Sequence, residues 1–168
     1  MVVAGLAVAG AMLLGDDDTG ATPTTQPFTA QPIADGEWFS FVTVGEDETG
    51  AITLGVDVAE MLTGDEAKAA AVADGVIAAG EDLPNDFYTS NPEKVLELLH
   101  VSDDAGFTML SGADPGAKIV VDAQILASLY DGTYTGEPIY GVVPGTPIAM
   151  DVTVNDGLVT GASEVYLP

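Results

Sequence analysis

The segment Leu83 to Asn91 carries the densest set of side chains able to hold a ligand: Asp86, Tyr88 and Asn91, interleaved with Phe87. Leu83-Pro84 biases the chain toward extended or turn geometry. Asn85 and Asp86 can bond their own backbone, and on a strand Phe87 and Tyr88 point to opposite faces. One ring then enters the core while the other faces a groove beside Asn91. On that reading Asp86, Tyr88 and Asn91 line a polar ligand pocket; the structural alternative is an aromatic-anchored strand behind a fixed turn. Glu46, Asp47 and Glu48 form a second group. Hard carboxylate oxygens at a loop tip suit calcium or magnesium, although the spacing lacks the central Gly and distal Glu of an EF-hand. Glu81-Asp82 and Asp103-Asp104 have the same character, and all of these acids also serve as ordinary solvated turns.

Two further strings carry less. Asp18-Thr19-Gly20-Ala21 matches the aspartic-protease nucleophile string, but that chemistry needs two copies sharing a proton, and the sequence holds one. His100, the single imidazole, sits in Leu98-Leu99-His100-Val101 with no G-x-S-x-G elbow to present a serine. It reads as a rim or sheet-face residue. No catalytic residue is assigned, and a carboxylate-based hydrolase survives only as an alternative that needs two acids at a suitable separation.

Composition narrows the classes. The 168 residues include 27 acids and 3 lysines, no arginine and no cysteine, for a net charge of −24. Nucleic-acid binding needs cations to displace phosphate counterions, so none is expected. Disulfide frameworks, thiolate nucleophiles and Cys-based metal sites are excluded by type.

The elements that must position these groups follow from spacing. Val2 to Gly15 is apolar and uncharged, too short for a spanning helix, and of the length of a signal h-region. The basic flank expected before it is missing, so residues 1–15 read as a signal or anchor remnant. Residues 16–32, rich in Thr, Pro and Gln, read as a linker. Residues 33–168 read as one globular domain. This part holds all three lysines and 24 of the 27 acids, a net charge of −21.

Within the domain, Trp38 to Val44 and Ile52 to Val56 predict a hairpin across the loop Gly45-Glu-Asp-Glu-Thr-Gly50. Thr63-Gly-Asp-Glu66 has capping-box spacing before Ala67–Ala73, with Gly75 placed to end the helix. Phe87-Tyr88-Thr89 predicts a short strand. Asn91-Pro92-Glu93 could start a helix, yet Leu99 and Val101 also suit a strand. Phe107–Leu110 predicts another strand. Asp122 caps a second helix bearing Ile125, Leu126 and Leu129 and stopping before Gly132. Val152 and Val154, then Asn155-Asp156-Gly157, then Leu158 and Val159 predict a tight hairpin. The fold class expected is α+β: a curled, mainly antiparallel sheet or a small, partly open OB-like β-barrel with two short helices.

The order Gly64-Asp-Glu-Ala67, Ala71-Val-Ala-Asp-Gly-Val76, Leu83-Pro-Asn-Asp-Phe-Tyr88 with Asn91, Asp156-Gly-Leu-Val159 and Tyr166-Leu-Pro168 resembles a family of exported bacterial, mostly actinobacterial, small-domain proteins. The resemblance spans Asp35 to Pro168, and Asn85-Asp-Phe-Tyr88-x-x-Asn91 is its most specific part. It implies export and a single domain behind a signal or anchor, and it carries no established activity. Members of that family typically carry arginines, and this chain has none.

The function expected is that of an exported or surface-tethered acidic domain, secreted or held in the cell envelope, with a non-catalytic role: it binds a protein, a glycan or nothing specific. A calcium or small-ligand module is the alternative. The membrane is met only through the N-terminal segment, no cofactor beyond possible calcium is implied, and a monomer is expected.

Charge generates the first test. With three cations among so many carboxylates, like-charge repulsion opposes the compact state and suggests a salt-rich habitat. Screening length falls from about 30 Å at 0.01 M to about 3 Å at 1 M ionic strength. The thermal midpoint should therefore rise with sodium chloride, most steeply at the low end. A midpoint that is flat or falling across that range refutes the argument.

Overall fold

The computed structural model describes residues 32–92 and 94–167. The apolar run 2–15, nearly all of the linker and the Asp18-Thr19-Gly20 string lie outside the described residues. Among the described residues no helix is long and apolar enough to cross a membrane.

The first hairpin forms as its alternation demands. Strands β1 (Gly36–Glu46) and β2 (Ile52–Val58) pair antiparallel with Val42 opposite Val56 and Phe41 opposite Asp57. Val42, Leu54 and Val56 are buried inward, which leaves Phe41, Gly55 and Asp57 on the outer face. Asp47 organises the connecting loop. Its Oδ1 accepts from the Thr49 amide at 2.7 Å, the Thr49 hydroxyl at 2.6 Å and the Ala51 amide at 3.0 Å.

An arm then leaves the barrel. Strands β3 (Glu60–Thr63) and β4 (Phe87–Ser90) pair antiparallel, and helix α1 (Gly64–Ala73) buries Ala67 and Ala71 against them. The small alanine face permits that close approach. The expected capping box does not form: Thr63 is the N-cap residue, but its side chain makes no cap bond. Gly64 starts the helix at a φ of 61°, a left-handed turn that swings Thr63 off the line of the first-turn amides.

The helix considered at Asn91-Pro92-Glu93 is not what Leu96–Leu99 adopt. Strand β5 (Leu96–Leu110) pairs through Leu96–His100 with β2, because the outer edge of β2 needs ladder partners and that demand overrides local spacing. The strand also continues through Asp103-Asp104, where a break was expected. Strand β6 (Lys118–Val121), which spacing does not predict, adds to the far half of β5. Helix α2 (Ala123–Asp131) starts as expected: Asp122 Oδ1 accepts from the Ile125 amide at 2.8 Å. It ends at Gly132, whose φ is 80°. Leu126 and Leu129 of α2 enter the core, and the helix packs against β1, β2 and β5.

Strands β7 (Ile148–Asn155) and β8 (Leu158–Glu164) form the second hairpin, turned by Asp156 and Gly157 at φ 50° and 73°. These two left-handed residues are those of a type I′ turn. β7 pairs with β1, and β8 pairs parallel with β5. The ring β2-β1-β7-β8-β5 thus returns to β2: a closed five-stranded mixed barrel with one further strand, β6, on its sheet, the two-stranded arm and two short helices. Counting barrel strands alone, the order is first, second, third, fifth, fourth. This is the α+β, OB-like barrel expected, closed rather than partly open.

The two helix starts make opposite predictions. Asp122→Ala removes a formed cap and should lower stability by about 0.5–2 kcal/mol, whereas Thr63→Ala should change it by no more than a few tenths. Denaturant midpoints of the two variants check this, and equal losses would show that Thr63 caps after all.

Candidate functional site

At the end of the barrel where β2 finishes and β7 begins, the arm leans over the outer face of β1. The space between is a cleft of about 530 Å³, lined by Phe41, Asp57, Asp74, Tyr88, Asn91 and Lys94, with Pro147 at its side. Register explains the barrel's share. Phe41 and Asp57 are cross-strand partners, and both alternate outward from the buried Val42 and Val56. The arm supplies the rest: Tyr88 from β4, Asn91 just beyond it, and Asp74 from the C-cap of α1.

Two links tie the cleft together. Asn91 Nδ2 donates to Asp57 Oδ2 at 2.9 Å, and the Tyr88 hydroxyl donates to Asp74 Oδ2 at 2.9 Å. The bond to a carboxylate holds the Tyr88 phenol above its ordinary pKa, with burial adding to the effect. The partner oxygens are not satisfied. Asp57 Oδ1 and Asn91 Oδ1 are both buried, and among the described residues neither has a hydrogen-bond partner. Buried polar atoms are paired in the great majority of cases, so two adjacent orphans are notable, and both are acceptors.

A second cleft of about 180 Å³ adjoins the first, sharing Phe41 and Pro147 and lined further by Tyr140, Gly141, Ile148 and Glu164. Glu164 is 9 % exposed. Its Oε2 accepts from the Leu110 amide at 2.8 Å. Gly141 passes over the other oxygen at a φ of 65°; a Cβ there would stand 3.2 Å from Glu164 Oε1 in a backbone conformation side chains avoid. The segment carrying Gly141 is held by the Tyr140 amide, which donates to the Leu110 carbonyl at 2.8 Å. Tyr140 stacks on Tyr166 with ring centroids 5.1 Å apart. Its contact with Tyr166, burial and the Glu164 carboxylate together push the Tyr140 phenol upward.

The sequence-derived ligand set is split. Tyr88 and Asn91 share the large cleft. Asp86 does not join them and lines a separate hollow of about 250 Å³ with Lys68 and Asp82, which form an exposed ion pair at 2.6 Å. Sequence reasoning missed Asp57, Asp74, Lys94 and Glu164. An outward acid closing the alternation Ile52-Leu54-Val56 was the available signal for Asp57. Nothing local marks Asp74, whose place depends on the arm.

The acidic loop has another use. Asp47 serves its own turn through Oδ1, its Oδ2 stands 3.8 Å from His100 Nδ1, and those loop bonds hold its carboxyl below the ordinary range. Among the described residues no three His, Cys, Asp or Glu side chains, Glu46, Asp47 and Glu48 included, group closely enough to hold a metal ion. His100 lies exposed on the outer sheet face, across from Thr53.

Fold and clefts together define a small OB-like barrel whose insertion between its second and third strands roofs a polar cleft. Comparison with protein-family models, with curated proteins and with solved structures found no match.

Glu164 yields a pH test. Burial raises its pKa above the ordinary carboxylate value, against the opposing pull of the Leu110 amide. The folded state therefore binds this proton more tightly than the unfolded state. The associated stability is full below the ordinary glutamate pKa of about 4.3 and is lost as pH rises through the raised value. Glu164→Gln keeps an acceptor for Leu110 without the charge. It should melt above the wild type at pH 7, with the gap closing toward pH 4. A gap that widens on acidification would show the sign to be wrong.

Proposed function

We propose that this protein is an exported or surface-tethered, non-catalytic binding module whose ligand occupies the Asp57–Asn91 cleft and presents hydrogen-bond donors to it. The pair of buried acceptors, Asp57 Oδ1 and Asn91 Oδ1, carries the reading. Leaving a buried acceptor unmet costs about 1–3 kcal/mol. Asp57 and Asn91 both line the cleft, so a ligand seated there that turns these oxygens toward itself supplies the missing donors and offsets that cost. Export is supported by the apolar run 2–15 followed by a Thr/Pro-rich stretch, and by the family resemblance.

The calcium alternative has its own support in the same oxygens, since hard cations take carboxylate and carboxamide ligands. It is the weaker reading. Among the described residues the carboxylates lining the cleft are Asp57 and Asp74, and Asp74 already accepts from Tyr88. Calcium wants six to eight oxygens.

Titration with glucose, ethanolamine and calcium chloride, followed by amide NMR, separates these readings. One of the organic probes should move the Asn91 side-chain amide and the Tyr88 and Thr89 backbone signals saturably. Asn91→Ala should weaken that binding about tenfold or more, the loss of roughly two hydrogen bonds. Saturation by calcium alone transfers the site to the cation reading. No saturable response at these residues overturns the cleft as a binding site.

A further inference from the structure

Phe41 and Pro147 line both clefts, so the Asp57–Asn91 site and the Glu164 site meet across one aromatic ring. We infer that the two clefts are adjoining subsites for a single uncharged saccharide chain of at least two units, one held at Asp57 and Asn91 and the next at Glu164 and Tyr140. The inference rests on the binding-module reading above and extends it to a ligand class.

The chemistry of the walls selects that class. Asp57 and Asn91 of the first subsite each carry an acceptor without a partner among the described residues, and Lys94, which lines the same cleft, is a donor. A ligand that answers both must carry groups that donate and accept at one position, as a hydroxyl does. Phe41 and Tyr88 line the first subsite and Phe41 and Tyr140 the second, and the C–H face of a sugar packs on such rings. The second subsite repeats the pattern: Glu164 is nine-tenths buried, with Oε2 taken by Leu110 and Oε1 on the side of Gly141. Two such subsites that share one aromatic residue suit a ligand that itself repeats.

Two competing classes fit less well. An extended peptide binds chiefly through main-chain ladders at a free strand edge. At Phe41 there is none, because β1 is paired on both sides, with Asp57 of β2 and Ala149 of β7. Strand β4 beside the cleft, which pairs with β3 alone among the described residues, is only four residues long. Anionic chains, whether nucleic acids or acidic glycans, meet a domain of net charge −21.

Isothermal titration of the whole chain with cellotetraose, maltotetraose and tetra-N-acetylchitotetraose, each against its monosaccharide, tests the inference, with tetragalacturonate as the anionic control. At least one neutral tetrasaccharide should bind about tenfold or more tighter than its monomer, the gain of roughly one additional anchored unit. Glu164→Gln and Tyr140→Leu should each erase most of that gain. Asn91→Ala should lower the affinity of tetramer and monomer alike. Tetramers and monomers bound equally, with Asn91 still required, would overturn the extended site and leave the binding module standing. A gain insensitive to both Glu164→Gln and Tyr140→Leu, or equal binding of tetragalacturonate, would also overturn it. No response to any sugar while ethanolamine binds at Asn91 rejects the saccharide class. Failure of every probe at Asn91 removes the underlying reading as well.

Discussion

The barrel depends on β5 serving two neighbours in succession. Its first half pairs with β2 through Leu96–His100, and its second half pairs with β8 and β6 through Gly106–Leu110. Between these stretches the ladder to β8 slips, from Val101 opposite Val159 to Gly106 opposite Gly161. That irregularity bends the strand and lets an open sheet become a ring. It requires close backbone approach, since a Cβ on Gly161 would stand 3.1 Å from the Gly106 carbonyl oxygen. Everything else follows from closure. The interior is sealed at one place by Leu126 and Leu129 of α2, both edges of β1 are paired, and Phe41 and Asp57 acquire a fixed outward frame.

An acidic chain with three lysines has few ion pairs with which to tie its loops, and it uses carboxylates on backbone amides instead. Asp47 binds the amides of Thr49 and Ala51, Asp114 that of Gly116, Asp122 that of Ile125 and Asp131 that of Thr133. Longer links follow the same rule, with Glu97 accepting from the Ile33 amide and Glu164 from the Leu110 amide. Among the described residues the lysine ion pair is Lys68 with Asp82. An acceptor on a short side chain costs little entropy and loses less to salt than an exposed ion pair does. Against that background, acceptors that find no donor among the described residues, as at Asp57 and Asn91, stand out.

Much of the fold was readable where a residue's role is local. Asp122 over the first turn of α2, Gly132 at its end and Asp156-Gly157 between β7 and β8 each impose their geometry within four residues. Tyr88 and Asn91 were readable as a polar pair at the end of a short strand. Thr63 misled because capping-box spacing says nothing of the backbone at the intervening Gly64. Leu96–Leu99 were ambiguous because the decision belonged to the unpaired edge of β2, forty residues earlier. Asp86 parted from Tyr88 because the turn before β4 directs it toward Lys68 and Asp82.

The sequence by itself determined the acidic charge balance, the two hairpins, the capped second helix and an α+β barrel. These follow from charge count, period-two alternation and turn chemistry, all of which act over short range. The tertiary structure alone decided the site. Thr160 is an extra residue in the β7–β8 ladder, where Val154 faces Val159 but Thr153 faces Gly161. Because side chains alternate with a period of two, that one residue moves Ala162 and Glu164 to the inner face that plain alternation from Val159 would have given to Ser163 and Val165. Asp57 and Asn91 meet for a similar reason: thirty-four residues separate them, and only the folding back of the arm onto a closed barrel brings their oxygens together.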